Sequence, residues 1–159
     1  MSDITILRAD LNDPSHQDSI VEMTNEYARD PMGGGADLKA NVQAGLASAM
    51  SGHPTTVVLI AFDGHKPVGI ANCFLGFSTF AAKPLLNVHD LAVHPAYRGR
   101  GIGRKLLESA EDQAKQLGCC KLTLEVLEKN EPAKRLYSSF GFDGAREEDE
   151  RKLFLSKPL

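Results

Sequence analysis

The residues best suited to chemistry form one short run, Arg98-Gly99-Arg100-Gly101-Ile102-Gly103-Arg104-Lys105, with four cations and three glycines in eight positions. It lies between an apolar strand pattern and the start of an amphipathic helix pattern. A helix N-terminus leaves backbone N–H groups without partners and carries about half a positive charge. Glycines let an anion approach those groups closely, and arginines add charge-assisted hydrogen bonds. A phosphate or diphosphate fits this chemistry. Two nucleotide patterns fail on the residues present. Arg104 follows Gly103 where a Walker loop needs lysine and then Ser or Thr. Gly99, Gly101 and Gly103 fall at first, third and fifth positions, whereas a dinucleotide loop needs first, third and sixth. A basic helix cap with turn glycines is the bland alternative, but glycine at every second position exceeds what a turn needs.

Other reactive side chains offer less. His89 and His94 are five apart on or next to a strand, so they fall on opposite faces and make a poor metal pair; no metal is expected. Cys119 and Cys120 enter a strand after Gly118, where buried structural thiols outnumber nucleophiles. Glu147, Glu148, Asp149 and Glu150 read most simply as a solvated turn.

These groups need a scaffold, and the hydrophobic periods supply one. Asp3 to Ala9 alternates as a strand. Asn12 or Asp13 can cap a helix that begins at Pro14 and carries Ile20, Met23 and Tyr27 on one face. Asp30-Pro31-Met32-Gly33-Gly34-Gly35 breaks it. Leu38, Val42, Leu46 and Met50 mark a second helix. Thr55 to Phe62 and Val68 to Phe80 read as strands joined by an Asp63-Gly64 turn, and Leu85 to Val93 as the next. Ile102, Leu106, Leu107, Ala110, Ala114 and Leu117 form a helical stripe that Gly118 stops. Cys120 to Leu127 reads as a strand, Ala133 to Phe140 as a helix, and Lys152 to Ser156 as a last strand. The order β-α-α-β-β-β-α-β-α-β predicts a mixed α/β (α+β) sheet with at least one parallel crossover.

Composition bounds the partners. A chain of 159 residues, 42% hydrophobic and 25% charged, is ordinary for one globular domain over residues 1–159. A net charge of −3 argues against a general nucleic-acid binder, so any anion site is local. No apolar run approaches membrane-spanning length. The N-terminus MSDITILRAD has acids where a signal peptide needs a basic start, and three cysteines do not make a disulfide framework, so a cytosolic protein is expected.

Arg98-x-x-Gly101-x-Gly103 resembles the acetyl-CoA diphosphate loop of the GNAT family of N-acetyltransferases. Leu91-Ala92-Val93-His94-Pro95-Ala96-Tyr97 looks like the strand that leads into it. Asn130-Glu131-Pro132-Ala133-Lys134-Arg135-Leu136-Tyr137 followed by Phe140-Gly141-Phe142 is similar to the tail of the same pattern. Two motifs in order at family spacing are far more specific than either alone. The resemblance implies a mostly antiparallel sheet with helices on both faces and a parallel, splayed pairing of the fourth and fifth strands.

The activity it implies is acetyl transfer from acetyl-CoA to the primary amine of a small molecule. Leu91, Ala92 and Val93 would pair with the pantetheine arm. Backbone groups of Gly99, Arg100, Gly101, Ile102, Gly103 and Arg104 would hold the diphosphate, and Asn130, Ala133 and Lys134 would meet the rest of the cofactor. Tyr137 falls where many members place a general acid facing the thioester sulfur; a core tyrosine is the alternative. His89 is the candidate base, because its reference pKa suits proton uptake near neutrality and strand alternation puts it on the face of Val93. A packed histidine beside Asp90 is the alternative. The segments Leu86 to Asp90 and Asn130-Glu131-Pro132 look most like those of the polyamine acetyltransferases, which carry glutamate where this chain has His89, a departure that removes a negative charge that would attract a polycation. Tyr27, Phe77, Phe80 and the loop Asp30 to Ala36, with Met32 in it, would wall an acceptor pocket, and Glu125, which shares a strand face with Thr123, could reach an acceptor amine; a partnered structural glutamate is the alternative. A protein or peptide acceptor, or an acyl-CoA-binding regulator without activity, are the alternatives. The fold often dimerises, so a homodimer is possible.

Overall fold

The computed structural model describes residues 3–144 and 153–159. Its contacts group the chain into two compact units, Met1–Glu125 and Val126–Leu159.

The first unit runs β1 (Ile4–Arg8), α1 (Pro14–Arg29), α2 (Ala40–Gly52), β2 (Thr56–Asp63), β3 (Lys66–Ser78), β4 (Lys83–Val93), a single 3-10 turn (Pro95–Tyr97), α3 (Ile102–Gln116) and β5 (Leu122–Leu124). The strands form one sheet in chain order, antiparallel from β1 to β4 and parallel between β4 and β5. The capping chemistry is as the residues dictate. Asp13 accepts from the Ser15 and His16 N–H groups just past Pro14, and its carboxyl is held below the usual range first by the Ser15 hydroxyl and then by those two bonds.

Helices cover both faces. On one, Ile20, Met23 and Met50 pack with Val58, Ile60, Ile70 and Ala92. On the other, Ile102, Leu106, Leu107 and Ala110 of α3 are buried. There Gly69 lets α3 lie close on β3, since a Cβ would stand 3.1 Å from both Ile102 Cγ2 and Leu106 Cδ1. Among the described residues, no helix is long and apolar enough to cross a membrane.

Three expectations need correction. β5 is Leu122–Leu124 rather than Cys120 to Leu127, because its ladder covers only Leu86, Asn87 and Val88 and β4 bulges at the next residue. In α2 only Met50 of the four-residue stripe is buried, while Val42 is exposed and Leu38 precedes the helix. The last strand is absent where it can be assessed: residues 153–156 carry no strand, and Leu153, Phe154 and Leu155 are exposed. A continuous apolar run has no period to distinguish strand from coil. Lys152 and the acidic stretch Glu147–Glu150 lie outside the described residues.

The second unit holds α4 (Glu131–Phe140). Asn130 caps it, Pro132 sits in its first turn, and Gly141 ends it in the left-handed region at φ 100°.

Candidate active site

The glycine-rich corner is open. Gly99 and Gly101 have φ of 76° and 77°, a region L-residues enter only with strain, and a Cβ on either would meet nothing within 4 Å. Gly101 is the N-cap of α3 and supplies no side-chain cap. The helical ladder begins when the Lys105 N–H donates to the Gly101 carbonyl at 3.1 Å, so the Ile102 and Gly103 N–H groups precede any acceptor within the helix. The Arg100 guanidinium lies 4.8 Å from the Tyr97 ring centre and donates to the Ala96 carbonyl at 3.2 Å. Free donors, open space and fixed cationic charge fit a diphosphate, and no described side chain caps the corner in its place.

Arg98 is used differently from its neighbours. Its Nη2 donates to Asp30 Oδ2 at 2.6 Å and its Nε to the Val93 carbonyl at 3.1 Å. One guanidinium thus ties the end of β4 to the end of α1. The Asp30 carboxyl is held below its usual range, first by Arg98 and then by the Met32 N–H. The Asp30 carbonyl accepts from the Gly33 and Gly35 N–H groups at 2.8 and 3.1 Å. Gly33 must be glycine, since a Cβ would stand 2.0 Å from the Tyr27 carbonyl oxygen. The loop's far end is held by Asn25, which donates to Asp37 and accepts from the Leu38 N–H, and by the Arg29–Asp37 pair.

The edge of β4 that faces β5 is paired only through Val88. From there to Val93 no described strand covers it, which leaves Leu91, Ala92 and Val93 along the open part of the splay. Asn72 pairs with Asp90 but the next β3 residue, Cys73, pairs with Val88, so His89 is the extra residue of a bulge. The bulge overturns the expected common face of His89 and Val93. Val93 pairs with Gly69, whose open side meets α3. The exposed His89 ring instead sits edge-on to Phe74 at 5.7 Å, and Phe74 packs with the α1 and α2 cluster.

Asp90 turns to the same side. Its Oδ2 accepts from Asn72 Nδ2 at 3.0 Å, and that nitrogen also donates to Thr24 Oγ1 on α1 at 3.1 Å. Asn72 is 2% exposed, and its Oδ1 is buried without a partner. Tyr27 is half-buried, and its hydroxyl is pushed up by burial and by the charges of Asp90 and Asp30. Asn72 and Asp90 were not singled out by the sequence reading, and Asp30 entered it only as the start of the acceptor-side loop. One signal was available: Asn72 is a lone amide in the apolar run Val68-Gly69-Ile70-Ala71-Asn72-Cys73, and a buried amide demands partners.

The remaining candidates separate. Phe77 and Phe80 are exposed toward the β3–β4 hairpin, where Phe77 pairs with Pro84, away from Tyr27 and Met32. Asn87 Nδ2 donates to Thr123 Oγ1 at 3.0 Å and to Glu125 Oε1 at 3.4 Å, so Glu125 is a partnered glutamate. Burial, with Asp90 nearby, raises the Cys73 thiol to about 12, and burial also raises Cys119. Neither is a ready thiolate.

Within the second unit, Asn130 Oδ1 accepts from the Ala133 N–H at 3.3 Å, and Lys134 Nζ donates to the Glu128 carbonyl and to Glu131 Oε1. The motif thereby builds the first turn of α4. Tyr137 is 7% exposed, with its ring edge-on to Phe142 at 5.8 Å.

Comparison with known proteins gives concordant matches. The model of the acetyltransferase (GNAT) family matches residues 20–142. The uncharacterized N-acetyltransferase YhfO of Bacillus subtilis is 31% identical over 125 residues, 79% of this chain and 82% of that protein. Thialysine N-epsilon-acetyltransferase of Bos taurus is 34% identical over 79 residues, which cover 50% of this chain and 46% of that enzyme. Among solved structures, an aminoglycoside N-acetyltransferase in complex with CoA superposes with a TM-score of 0.78 at 15% identity, covering 100% of this chain and 97% of the other.

Proposed function

This chain belongs to the GNAT family of acetyltransferases, which use acetyl-CoA, and from that premise we propose that it acetylates the primary amine of a small molecule by direct attack, without an acetyl-enzyme. The observation that carries the reading is the uncapped N-terminus of α3, framed by left-handed Gly99 and Gly101 with open space over both.

Acetyl-CoA supplies an activated acetyl carbonyl and a thiolate leaving group. The backbone of Gly99 to Arg104 holds its diphosphate, and the open edge at Leu91, Ala92 and Val93 pairs with its pantetheine arm. The Val93 N–H stabilises negative charge that develops on the carbonyl oxygen. Asn130, Ala133 and Lys134 contribute to the remaining cofactor surface.

An alkylammonium has no lone pair, so the acceptor must lose a proton before attack. His89, directly or through water, accepts it at an imidazole nitrogen and releases it to solvent. The nitrogen lone pair then forms the C–N bond as the C–S bond breaks. The Tyr137 hydroxyl gives its proton to the sulfur and is reprotonated by the second proton shed from the nitrogen. The products are the amide, the free thiol and one proton in solution. Tyr27 and Met32 line the acceptor side, with Glu125, Phe77 and Phe80 farther out. Thialysine and aminoglycosides, the amines in the names of the relatives, are the first acceptors to try.

We assign residues 1–159 to one N-acetyltransferase domain acting in the cytoplasm, with a homodimer as the assembly to test. A thiol-release assay against an amine library, with intact-mass detection of the product, tests the activity. Turnover with a small amine supports the reading; modification of proteins alone, or CoA binding without turnover on any amine, refutes it.

A further inference from the structure

We propose that Tyr97 is the positioning residue of the cofactor corner: its ring, tied to the sheet through Asp63, holds the Arg100 guanidinium ready for the diphosphate. This inference rests on the reading of that corner as the acetyl-CoA site and adds the residue that orders it.

The corner has little to order it from within. Gly99 and Gly101 flank Arg100, both have positive φ, and a Cβ on either would meet nothing within 4 Å. Arg100 itself is exposed. A long cation between two such glycines loses both rotamer and backbone freedom when a ligand fixes it. A group that fixes it beforehand therefore raises affinity.

Tyr97 is placed to do this. It ends the 3-10 turn before the corner, where its N–H donates to the His94 carbonyl at 2.8 Å and its ring meets the His94 ring edge-on at 5.8 Å. Its hydroxyl donates to Asp63 Oδ2 at 3.0 Å. Asp63 is the last residue of β2, paired with Ile4 on one side and Lys66 on the other, so the sheet fixes the acceptor. The bond to Asp63 pushes the phenol above its usual range, which keeps the donor proton in place at neutral pH.

The anchored ring then carries cationic charge. The Arg100 guanidinium lies 4.8 Å from its centre and Lys66 Nζ 5.4 Å. The Ala96 carbonyl takes one guanidinium N–H, which leaves donors for phosphate oxygens. Arg98 is spent on Asp30 and Val93, whereas Arg100 pairs with no described carboxylate. Of the two arginines that flank Gly99, the one left for phosphate is the one Tyr97 holds.

The test is a double-mutant cycle in CoA affinity, read by calorimetry. Tyr97→Leu and Arg100→Ala should each weaken CoA about tenfold, and the double variant should lose about the same tenfold rather than about a hundredfold. Tyr97→Phe keeps the ring and loses the Asp63 bond. It should weaken CoA about threefold on its own and have no effect when added to Arg100→Ala. The KM for acetyl-CoA should rise in step with these losses, while kcat and the acceptor KM stay within about threefold. A ring that only filled space would lower Tm, and its loss would add to that of Arg100. If Tyr97→Leu fails to fold, the cycle built on Tyr97→Phe still decides. Additive losses, or unchanged CoA affinity in the Tyr97 variants, would overturn the proposal. A loss of affinity in Gly101→Ala without one in the Tyr97 variants would keep the corner and remove this role for Tyr97. A wild type that does not bind CoA would refute both. Coupled losses of CoA affinity without turnover on any amine would sink acetyl transfer and leave the role of Tyr97 standing.

Discussion

Gly101→Ala is the most direct probe of the cofactor corner. Gly101 has φ of 77°, and an L-residue held there costs about 1–2 kcal/mol. A Cβ would meet nothing within 4 Å, so no overpacking adds to that strain. If the loop keeps its shape, the cost appears in stability, a fall in Tm of roughly 2–8 °C for a chain of this size. If the free loop relaxes to negative φ, the cost moves to binding and CoA affinity falls by roughly 5–30-fold. In both cases the methyl adds bulk where an anion must approach the N–H groups closely, so affinity drops. Gly64→Ala is the control: φ is 60°, the surroundings are equally open, and the residue lies in the β2–β3 hairpin. It should lower Tm by a comparable amount and leave CoA binding alone. Isothermal calorimetry with CoA, paired with thermal unfolding, reads both quantities. Unchanged CoA affinity in Gly101→Ala, or an equal loss in Gly64→Ala, would refute the assignment of the corner.

Three further outcomes follow from the geometry. Gly33→Ala sets a Cβ 2.0 Å from a backbone oxygen that cannot yield, so the α1–α2 loop should give way, with a stability loss of about 1–3 kcal/mol and new cleavage at residues 30–36 in limited proteolysis. Because Arg98 depresses the Asp30 carboxyl, the stability this contact contributes is present above the unfolded carboxyl pKa and is lost as pH falls through the lower folded value; wild type and Asp30→Asn should differ in Tm at pH 7, and the difference should begin to shrink near about pH 4 and close only below the folded value. Tyr137→Phe should lower turnover by at least about tenfold while CoA binds as before, and unchanged turnover would remove its role as acid.

What could be read in advance depended on whether it was local. The α1 cap at Asp13, the α3 stripe and the β-branched run of β2 each depend on residues a few positions apart, and they appear where the sequence puts them. The Arg98 to Gly103 motif led to the family because its glycines serve a backbone conformation that any ligand-holding turn of this kind needs. The misplacement of His89 has one origin. Alternation over Leu85 to Val93 assumes an unbroken ladder, and the extra residue at His89 is visible only when β3 and β4 are paired. That single residue moves His89 to the α1 side, where Asp90 already lies by alternation from Val93, coincides with the end of β5, and leaves open the β4 edge that a cofactor would use.

The Asp30–Arg98 contact shows why the acceptor half of the site was harder to read than the cofactor half. Sixty-eight residues separate the two, and neither is unusual in its own segment: Asp30 reads as a turn former and Arg98 as a phosphate ligand. Together they turn Arg98 inward, so the positive charge offered at the corner comes from the α3 N-terminus and its other cations rather than from this guanidinium. The acceptor loop and the cofactor loop then share one ion pair. A ligand that draws Arg98 toward its phosphates must release Asp30, beside Tyr27 on the acceptor side. Asp30→Asn should therefore change acceptor KM as well as CoA affinity. A variant that alters CoA affinity alone would show that the two loops are energetically independent.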